Sequence, residues 1–487
     1  MKRSIGRVLV SFILALCLGA VGSACVASTQ SQTSITTNSS STSDSSSTSN
    51  SSTLPDSSEE PNPTESQFKE PGLSGIKNVI LMIGDGMGPN HVKAAEIYKG
   101  SQLAIHSMPN QTYSLTRSAN QEVTDSAAGA TALATGVRTN NGHVGVDTEQ
   151  KQLTTIMDVA LQQGKRTGIV TTDVMSGATP MAFAGHCEDR HDDTRLLSSA
   201  ARSGVNLFVS TSNDATSKFE GYGYKNLQNV DAISDATNNY VLGTYDITAS
   251  AASQAADENG VALDRVVSES IEYLSKDTDG FVLMAEGARI DKEAEKNNFE
   301  GMIQEMLAFD DAVQAALNWA KGRNDTVVIV TADHETGGLL LGDNATKDNI
   351  DSQHFWSTHA HTGANVYCNV YGTDVDFLRY SSEGSAKEIK NADIFTMMKA
   401  FVLGYQEVSF TVKQNTTNGG MVEFDKAKPC FGQNVKITLK IHKNYRLVSF
   451  KINDKESITQ FHSDCTLDYV VDSREVVFKA LFVADGV

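Results

Sequence analysis

Cysteine and positive charge are scarce in this sequence, and each scarcity excludes a class of protein. The chain has six cysteines among 487 residues, and no two of them form a Cys-x-x-Cys zinc pattern. Lysine and arginine number 40 against 59 aspartates and glutamates, which gives a net charge of −19. We therefore expect no nucleic-acid binding through a basic face, and any local cluster of carboxylates needs cations.

The N-terminus carries basic residues and then an apolar run that is short for a membrane span. Lys2, Arg3 and Arg7 precede this run, which extends from Val8 to Val21. The pattern is typical of a secretory signal and predicts a signal peptide over residues 1–24.

The run from Gly22 to Cys25 resembles a bacterial lipoprotein cleavage site, with small residues before a cysteine. The usual Leu three residues before the cysteine is missing. We expect a lipid on Cys25, export, and anchoring on the outer face of the bacterial cytoplasmic membrane or at the cell surface. Simple secretion with cleavage nearby is the alternative. Export permits disulfides, so Cys430 and Cys465 either pair or stay free.

Residues 25–70 are dominated by Ser and Thr, with Asn, Asp, Glu and Pro among them. Such a segment buries too little apolar surface to offset the entropy lost on ordering. We predict a disordered tether that holds the rest of the chain away from a membrane surface.

From Ile76 onwards, apolar strands alternate with helical segments. The strand candidates are Lys77 to Ile83, Arg166 to Thr172, Gly280 to Ala285 and Thr326 to Thr331. The helical candidates are Thr154 to Gln163, Leu263 to Lys276 and Met302 to Lys321. Continuous apolar strands favour a parallel sheet covered on both faces. For residues 71–404 we therefore predict an α/β fold with a doubly wound, mostly parallel sheet and helices on both faces.

Chemistry-bearing residues follow the strand ends of this predicted sheet. They are Asp85, Glu286, Asp291, Asp333 and His334. Functional sites in open α/β sheets gather beyond the carboxyl ends of the strands, so we expect these side chains at one edge.

The pattern changes after Leu403 to short alternating strands separated by turn residues. The strand candidates are Val408 to Val412, Val435 to Ile441, Leu447 to Ile452 and Val476 to Phe482. We predict a small all-β module over residues 405–487, which resembles a repeat of bacterial surface proteins. The alternatives for its role are contact with cell wall, glycan or partner, and a spacer or stabilising cap.

The stretch from Thr124 to Ala132 sets a hydroxyl, Ser126, between an acid and a run of small residues. A nucleophilic serine needs room for a phosphorus centre, and a helix beginning here would direct free backbone N–H groups at an anion. The alternative is an ordinary helix capped by Asp or Ser.

These residues closely resemble the nucleophile motif of the alkaline phosphatase family. Further segments match the family in the same order: Ile83 to Gly88, Ala178 to Pro180 with His186 to Arg190, Ala285 to Asp291, Thr331 to Gly338, and His361 to Gly363. The resemblance covers Ile76 to Gly404, and an ordered series of matches is far more specific than one.

The resemblance implies a site with two zinc ions and one magnesium ion. Asp85, Asp333 and His334 would hold the first zinc, which also contacts Ser126 and lowers the pKa of its hydroxyl. Asp291 and His361 would hold the second zinc. The family normally has His four residues after that Asp, whereas this chain has Glu295, which we expect to replace it and to weaken zinc retention or favour harder metals. The alternatives are that a nearby His such as His359 takes this place, or that the site is weakened.

Asp85, Thr179 and Glu286 would hold the magnesium, whose preferred ligands are oxygens. The family often places Asp or His two residues before the Thr, and this chain has Gly177 there. The third site therefore loses an anchor. Arg190 is implied to clamp the phosphoryl oxygens, because a planar guanidinium matches two oxygens at once.

The implied reaction is hydrolysis of small phosphate monoesters through a phosphoserine on Ser126. One alternative is another member of the superfamily that acts on phosphodiesters or sulfates. The sulfatase nucleophile motif is absent, and Arg190 favours a monoester dianion. The other alternative is an inactive surface-binding lipoprotein, which only Glu295 and Gly177 support. Because dimers are common in the family, a homodimer is a further expectation.

Overall fold

The structure is a computed structural model of the chain, and it describes residues 73, 75–211, 216–248, 260–382, 385–405, 407–426, 429, 434–471, 473 and 475–485. They all belong to one compact unit, Asn62–Val487. The expected signal peptide (1–24), Cys25, the tether (25–70) and Cys430 lie outside the described residues. None of the described helices has the length and apolarity needed to cross a membrane. The described cysteines are not bonded to one another.

A ten-stranded sheet forms the centre of the α/β part. From one edge to the other its strands are Glu388–Lys390, Asn110–Leu115, Val366–Tyr371, Thr326–Thr331, Asn78–Gly84, Phe281–Gly287, Arg166–Thr171, Leu207–Ser210, Val241–Thr244 and Lys225–Leu227. Val366–Tyr371 runs antiparallel to both of its neighbours, and the other pairs are parallel. The predicted mostly parallel sheet is confirmed.

Alternate residues of each central strand pack into apolar cores on opposite faces of the sheet. In the strand Asn78–Gly84, Leu81 and Ile83 belong to one core, and Ile80 and Met82 belong to the other. The strand is buried along its whole length, which is why its sequence is continuously apolar. The predicted helices on both faces are confirmed.

Helices cover both faces of the sheet. On the face of Leu81 they include Ser126–Thr135, Ile156–Gln162 and Asn391–Leu403, and on the face of Ile80 they include Pro89–Lys99, Leu263–Leu274 and Phe299–Ala320. Phe299–Ala320 begins three residues before the predicted start at Met302, because the Asn298 side chain accepts a hydrogen bond from Gly301 N and caps the helix.

Further elements complete the α/β part. The helices are Ala178–Ala182, Asp193–Ala200, Thr216–Glu220, Ala232–Asp235, Arg289–Glu295, Ile350–Gln353 and Phe377–Tyr380, with a 3₁₀ turn at Ala104–Ser107. The paired strands outside the main sheet are Glu335–Thr336 with His361–Thr362, Leu339–Leu341 with His354–Trp356, and Ile247–Thr248 with Val261–Ala262.

The residues after Leu403 form two small sheets. One contains Ser409–Gln414, Glu475–Ala484, Tyr445–Ile452 and Lys455–Glu456, and the other contains Gly420–Phe424, Asn434–Ile441 and Thr466–Val470, with a 3₁₀ turn at Ile458–Gln460. Their apolar core, which includes Phe450, Phe478 and Phe482, consists of residues after 407 alone. The all-β character of this segment is confirmed, and the domain boundary at residues 404 and 405 stays a prediction.

Candidate active site

Three neighbouring parallel strands end at the same edge of the main sheet. Ile83 lies opposite Thr331 on one side and Glu286 on the other. Asp85 follows the first of these strands and Asp333 follows another, so the register brings their carboxyl groups to one place. The expected gathering of Asp85, Glu286 and Asp333 at strand ends is what the structure shows.

Ser126 is the first residue of the helix Ser126–Thr135, which points its N-terminus toward this edge. The Asp125 side chain caps the helix by accepting a hydrogen bond from Ala128 N at 3.0 Å. The Ser126 Oγ lies 3.2 Å from His334 Nε2, so the hydroxyl and the imidazole share one buried pocket. Gly129 lets this helix pack closely on Asp333, since a Cβ at 129 would stand 3.0 Å from the backbone oxygen of Asp333.

Asp85, Asp333 and His334 form the first of two groups whose ligand atoms lie within 4.8 Å of one another. His334 Nε2 is 3.4 Å from Asp85 Oδ1 and 3.3 Å from Asp333 Oδ2. The turn that follows Asp85 brings Gly86 N to 3.3 Å from Asp333 Oδ1, to which it donates a hydrogen bond. Gly86 has a φ of 71°, and a Cβ there would stand 2.9 Å from the Asp291 backbone, so the turn requires glycine.

Asp291, His334 and His361 form the second group. His361 Nε2 lies 3.5 Å from Asp291 Oδ1, while its Nδ1 is held 3.0 Å from the carbonyl of Thr124. The two imidazoles stack with their centroids 3.6 Å apart. The Thr336 hydroxyl joins the two groups, because it donates to Asp291 Oδ1 at 2.5 Å and lies 3.2 Å from His334 Nδ1.

The electrostatics of this pocket call for cations. Burial raises the pKa of Asp85 well above its usual range, and the neighbouring carboxylates of Asp333 and Asp291 add to the shift. Burial also raises the pKa of Asp333. The oxygens Asp85 Oδ1 and Asp333 Oδ2 are buried without a hydrogen-bond partner. Burying such carboxylates costs folding free energy unless a positive charge compensates them. A donor set of carboxylates and imidazoles suits zinc.

His334 is neutral in this environment. Burial, together with the neighbouring His361, lowers its pKa to about 3. A neutral imidazole is the form that ligates a metal. The residues of both groups therefore fit the two zinc ions that the sequence resemblance implies, although His334 lies in both groups and the sequence assigned it to one.

Glu286 and Thr179 lie beside the first group. Glu286 Oε2 accepts a hydrogen bond from Thr171 Oγ1 at 2.5 Å, and burial together with the Asp173 charge raises the pKa of Glu286 to about 8. Thr179 is the second residue of the helix Ala178–Ala182. Its buried Oγ1 lies near the Glu286 carboxylate but meets no partner in hydrogen-bond geometry. A buried carboxylate and a free hydroxyl oxygen are suitable ligands for magnesium.

Arg190 reaches the start of the nucleophile helix. Its Nη1 donates to Asp125 Oδ2 at 3.1 Å, and the same carboxylate oxygen accepts from Gly142 N at 2.9 Å. Both side chains are partly exposed, so the guanidinium is fixed at the mouth of the pocket rather than buried in it.

Glu295 lies outside both groups of candidate ligands. It is the last residue of the helix Arg289–Glu295, and it is exposed. Burial of part of the side chain raises its pKa, and the Asp291 carboxylate adds to the shift, so Glu295 is near the second group without joining it. His359, the other candidate replacement, is exposed and lies 2.9 Å from the Glu295 carbonyl through its Nδ1. The ligand role of Glu295 stays a prediction.

Sequence reasoning gave no role at the site to Thr336, and it treated Asp125 only as a helix cap. Asp125 orients Arg190, and Thr336 joins Asp291 to His334. The sequence held a signal for each, since Asp125 precedes the nucleophile and Thr336 lies within the segment Thr331 to Gly338.

Comparison with known proteins agrees with this geometry. Residues 76–212 and 211–407 match the family model described as alkaline phosphatase. Alkaline phosphatase 4 of Bacillus subtilis (strain 168) is 32% identical over 310 residues, which are 58% of this chain and 66% of the relative. Alkaline phosphatase of Escherichia coli (strain K12) is 30% identical over 335 residues, which are 54% of this chain and 71% of the relative. The chain spans less than two thirds of the length of Alkaline phosphatase 4, and it spans 63% of the length of Alkaline phosphatase 3 of B. subtilis.

Solved structures show the same fold. Alkaline phosphatase from the Antarctic bacterium TAB5 matches with a TM-score of 0.57 and 28% identity, over 68% of this chain and 98% of that one. A cold-active alkaline phosphatase from Shewanella sp. matches with a TM-score of 0.57 and 25% identity, over 67% of this chain and 99% of that one. The α/β part of this chain therefore belongs to the alkaline phosphatase family.

Proposed function

We propose that this protein hydrolyses phosphate monoesters, with Ser126 as the nucleophile. The observation that carries the proposal is the position of the Ser126 hydroxyl. It lies 3.2 Å from His334, which is the residue shared by both groups of candidate metal ligands. Membership of the alkaline phosphatase family supports the same reaction class.

The residues that would hold two zinc ions are Asp85, Asp333 and His334 for one and Asp291 and His361 for the other, with Ser126 facing them and Glu295 as an additional candidate. When bound, paired metal ions offset the charge of the carboxylates, favour the serine alkoxide and polarise the phosphoryl group. Asp85, Thr179 and Glu286 would hold magnesium. A variant of TAB5 alkaline phosphatase has been solved with Mg bound in its M3 site, which supports this third position.

The protein's own groups position the reacting atoms. Oγ of Ser126 forms the new bond to phosphorus, the bond from phosphorus to the alcohol oxygen breaks, and a phosphoserine results. Water then attacks phosphorus, releases phosphate and restores the hydroxyl. The free backbone N–H groups at the start of the helix Ser126–Thr135 and the Arg190 guanidinium stabilise the charge on the remaining phosphoryl oxygens.

Arg190 also favours a monoester over a diester. A guanidinium pairs best with two anionic oxygens, which a monoester dianion offers and a diester does not. Hydrolysis of diesters by a relative of the family remains the second candidate, and the substrate assay below separates the two.

The cellular setting is part of the proposal. A lipid on Cys25 would anchor the protein to a membrane, and the segment 25–70 would let the catalytic part reach soluble esters. Mass spectrometry of the mature N-terminus tests this, because an unmodified or absent Cys25 contradicts the anchor. A homodimer, and contact of residues 405–487 with cell wall or glycan, remain proposals that light scattering and pull-down on purified wall material would test.

The function is tested with protein supplied with zinc and magnesium. We expect hydrolysis of p-nitrophenyl phosphate and much slower hydrolysis of its bis ester. Ser126→Ala should lower kcat by about a thousandfold or more, as expected for loss of a nucleophile. Ser198→Ala removes an exposed hydroxyl on another helix and should keep parent activity. Turnover near that of the parent in Ser126→Ala would overturn the assignment, and faster cleavage of the bis ester would favour the diesterase.

A further inference from the structure

Gly177 leaves a space that the carboxylate of another residue fills. It precedes the helix Ala178–Ala182 and has an ordinary φ of −52°, so its backbone does not require glycine. A Cβ at 177 would stand 2.9 Å from Asp173 Oδ2 and 3.1 Å from the Val174 carbonyl. The room that a side chain at 177 would occupy is therefore taken by Asp173.

Hydrogen bonds tie Asp173 to the pocket of Glu286. The backbone N–H of Asp173 donates to Thr171 Oγ1 at 2.9 Å, and that hydroxyl donates to Glu286 Oε2 at 2.5 Å. Asp173 Oδ1 accepts from Val174 N at 2.7 Å, and it pairs with the ammonium group of Lys292. Lys292 directly follows Asp291, so this ion pair links the loop after the strand Arg166–Thr171 to the helix Arg289–Glu295.

The buried hydroxyl of Thr179 supports a cation in this pocket. Thr179 is 1% exposed, and its Oγ1 lies near the Glu286 carboxylate but meets no partner in hydrogen-bond geometry. Two carboxylates near each other and a buried hydroxyl oxygen without a partner are an arrangement that a hard divalent ion would complete.

We propose that Asp173 supplies the carboxylate of the third, magnesium-binding site, in place of a side chain at position 177. The proposal rests on the proposed function, in which Thr179 and Glu286 hold that ion. Gly177 and Asp173 then form a matched pair, because a Cβ at 177 would displace the Asp173 carboxylate from its observed position. Lys292 holds the Asp173 carboxylate in an ion pair and offsets part of its charge.

The experiment titrates magnesium chloride into the zinc-loaded full-length protein and measures affinity by calorimetry, with zinc content determined alongside. Asp173→Ala should weaken magnesium binding by about tenfold or more, the usual effect of losing an outer partner of a metal site, and leave zinc content unchanged. Asp173→Ala combined with Gly177→Asp returns a carboxylate to the pocket and should recover most of the affinity. Asp279→Ala removes an exposed carboxylate just before the strand Phe281–Gly287, at the other edge of the sheet, and should bind as the parent does.

Asp173→Asn keeps an acceptor for Val174 N, and it replaces Asp173→Ala if the latter fails to fold. Parent affinity in these variants, loss of zinc together with magnesium, no recovery in the double substitution, or a parent without measurable magnesium binding would each overturn the assignment. The titration does not depend on turnover. Failure of the proposed function would instead show as a parent that binds both metals and does not hydrolyse p-nitrophenyl phosphate.

Discussion

Asp125 joins the nucleophile helix to the Arg190 guanidinium. Its replacement by alanine should lower both the stability of the fold and the rate of hydrolysis, and the two effects can be measured separately. One oxygen of its carboxylate accepts from Ala128 N at 3.0 Å. The other accepts from Gly142 N at 2.9 Å and from Arg190 Nη1 at 3.1 Å. Asp125→Ala removes all of these acceptors without touching the Ser126 hydroxyl.

The cost in stability follows from these contacts. Loss of a helix cap costs about 0.5–2 kcal/mol. The pair with Arg190 is partly exposed, at 29% and 20% of the two side chains, and contributes about 0–1 kcal/mol. We expect Asp125→Ala to lower the free energy of unfolding by about 1–3 kcal/mol, measured by urea denaturation of the metal-free protein. Thr155→Ala, which removes the cap of the helix Ile156–Gln162, is the matched control.

The cost in catalysis should be larger than the loss of stability explains. A hydrogen bond to a charged group contributes about 1.5–3 kcal/mol, so release of Arg190 should lower kcat/KM for p-nitrophenyl phosphate by about ten- to 150-fold. Thr155→Ala should keep the parent value. In an Arg190→Ala background Asp125→Ala should add little, since the carboxylate acts through the guanidinium. Additive losses in this double-mutant cycle would refute the positioning role.

Three further predictions concern the metals and the packing around them. Glu295→His should raise the zinc retained after dialysis against a chelator, because imidazole is a softer ligand; equal zinc in both proteins would remove residue 295 from the site. Burial raises the pKa of Glu286 from 4.5 to about 8, so folded metal-free protein holds a proton that the unfolded chain has lost. The melting temperature of the metal-free protein should therefore fall as the pH rises from 6.5 to 8. This window lies above the ordinary His pKa of 6.5, so His334 is neutral in both the folded and the unfolded chain, and zinc with magnesium should flatten the fall. Gly129→Ala should cost about 1–3 kcal/mol in urea denaturation, because its Cβ would stand 3.0 Å from Asp333 O; a stabilised variant would contradict the close packing.

The central strands could be predicted from sequence because burial on both faces leaves an uninterrupted apolar run. Thr326–Thr331 matches its prediction at both ends, and Asn78–Gly84 is shifted by one residue. Strands without such a run were missed. Gly420–Phe424 and Thr466–Val470 are mostly half-buried or exposed, and their sequences carry no continuous apolar signal.

The convergence of Asp85, Glu286 and Asp333 could be predicted because each lies at or just after the carboxyl end of a parallel strand, and such strands end at one edge. The role of Asp173 beside Gly177 could not be predicted from the motif. Gly177 reads as a missing ligand in the linear sequence, whereas in the fold its space belongs to Asp173, four residues earlier. A motif records spacing along the chain, and only the tertiary structure records which side chain enters a space that glycine leaves open.

The same topology that makes this site explains why its stability should depend on cations. Parallel strands with short following loops bring Asp85, Asp333 and Glu286 together whether or not a positive charge is present, and burial then raises the pKa of each. Packing alone cannot relieve the repulsion between these buried carboxylates, since moving one of them away would break the sheet register on which the core depends. An ion that binds only the folded state stabilises it by about 2.7 kcal/mol at a concentration one hundred times its Kd. The acidic edge thus couples metal binding to folding, because the fold cannot separate the charges that the ions neutralise.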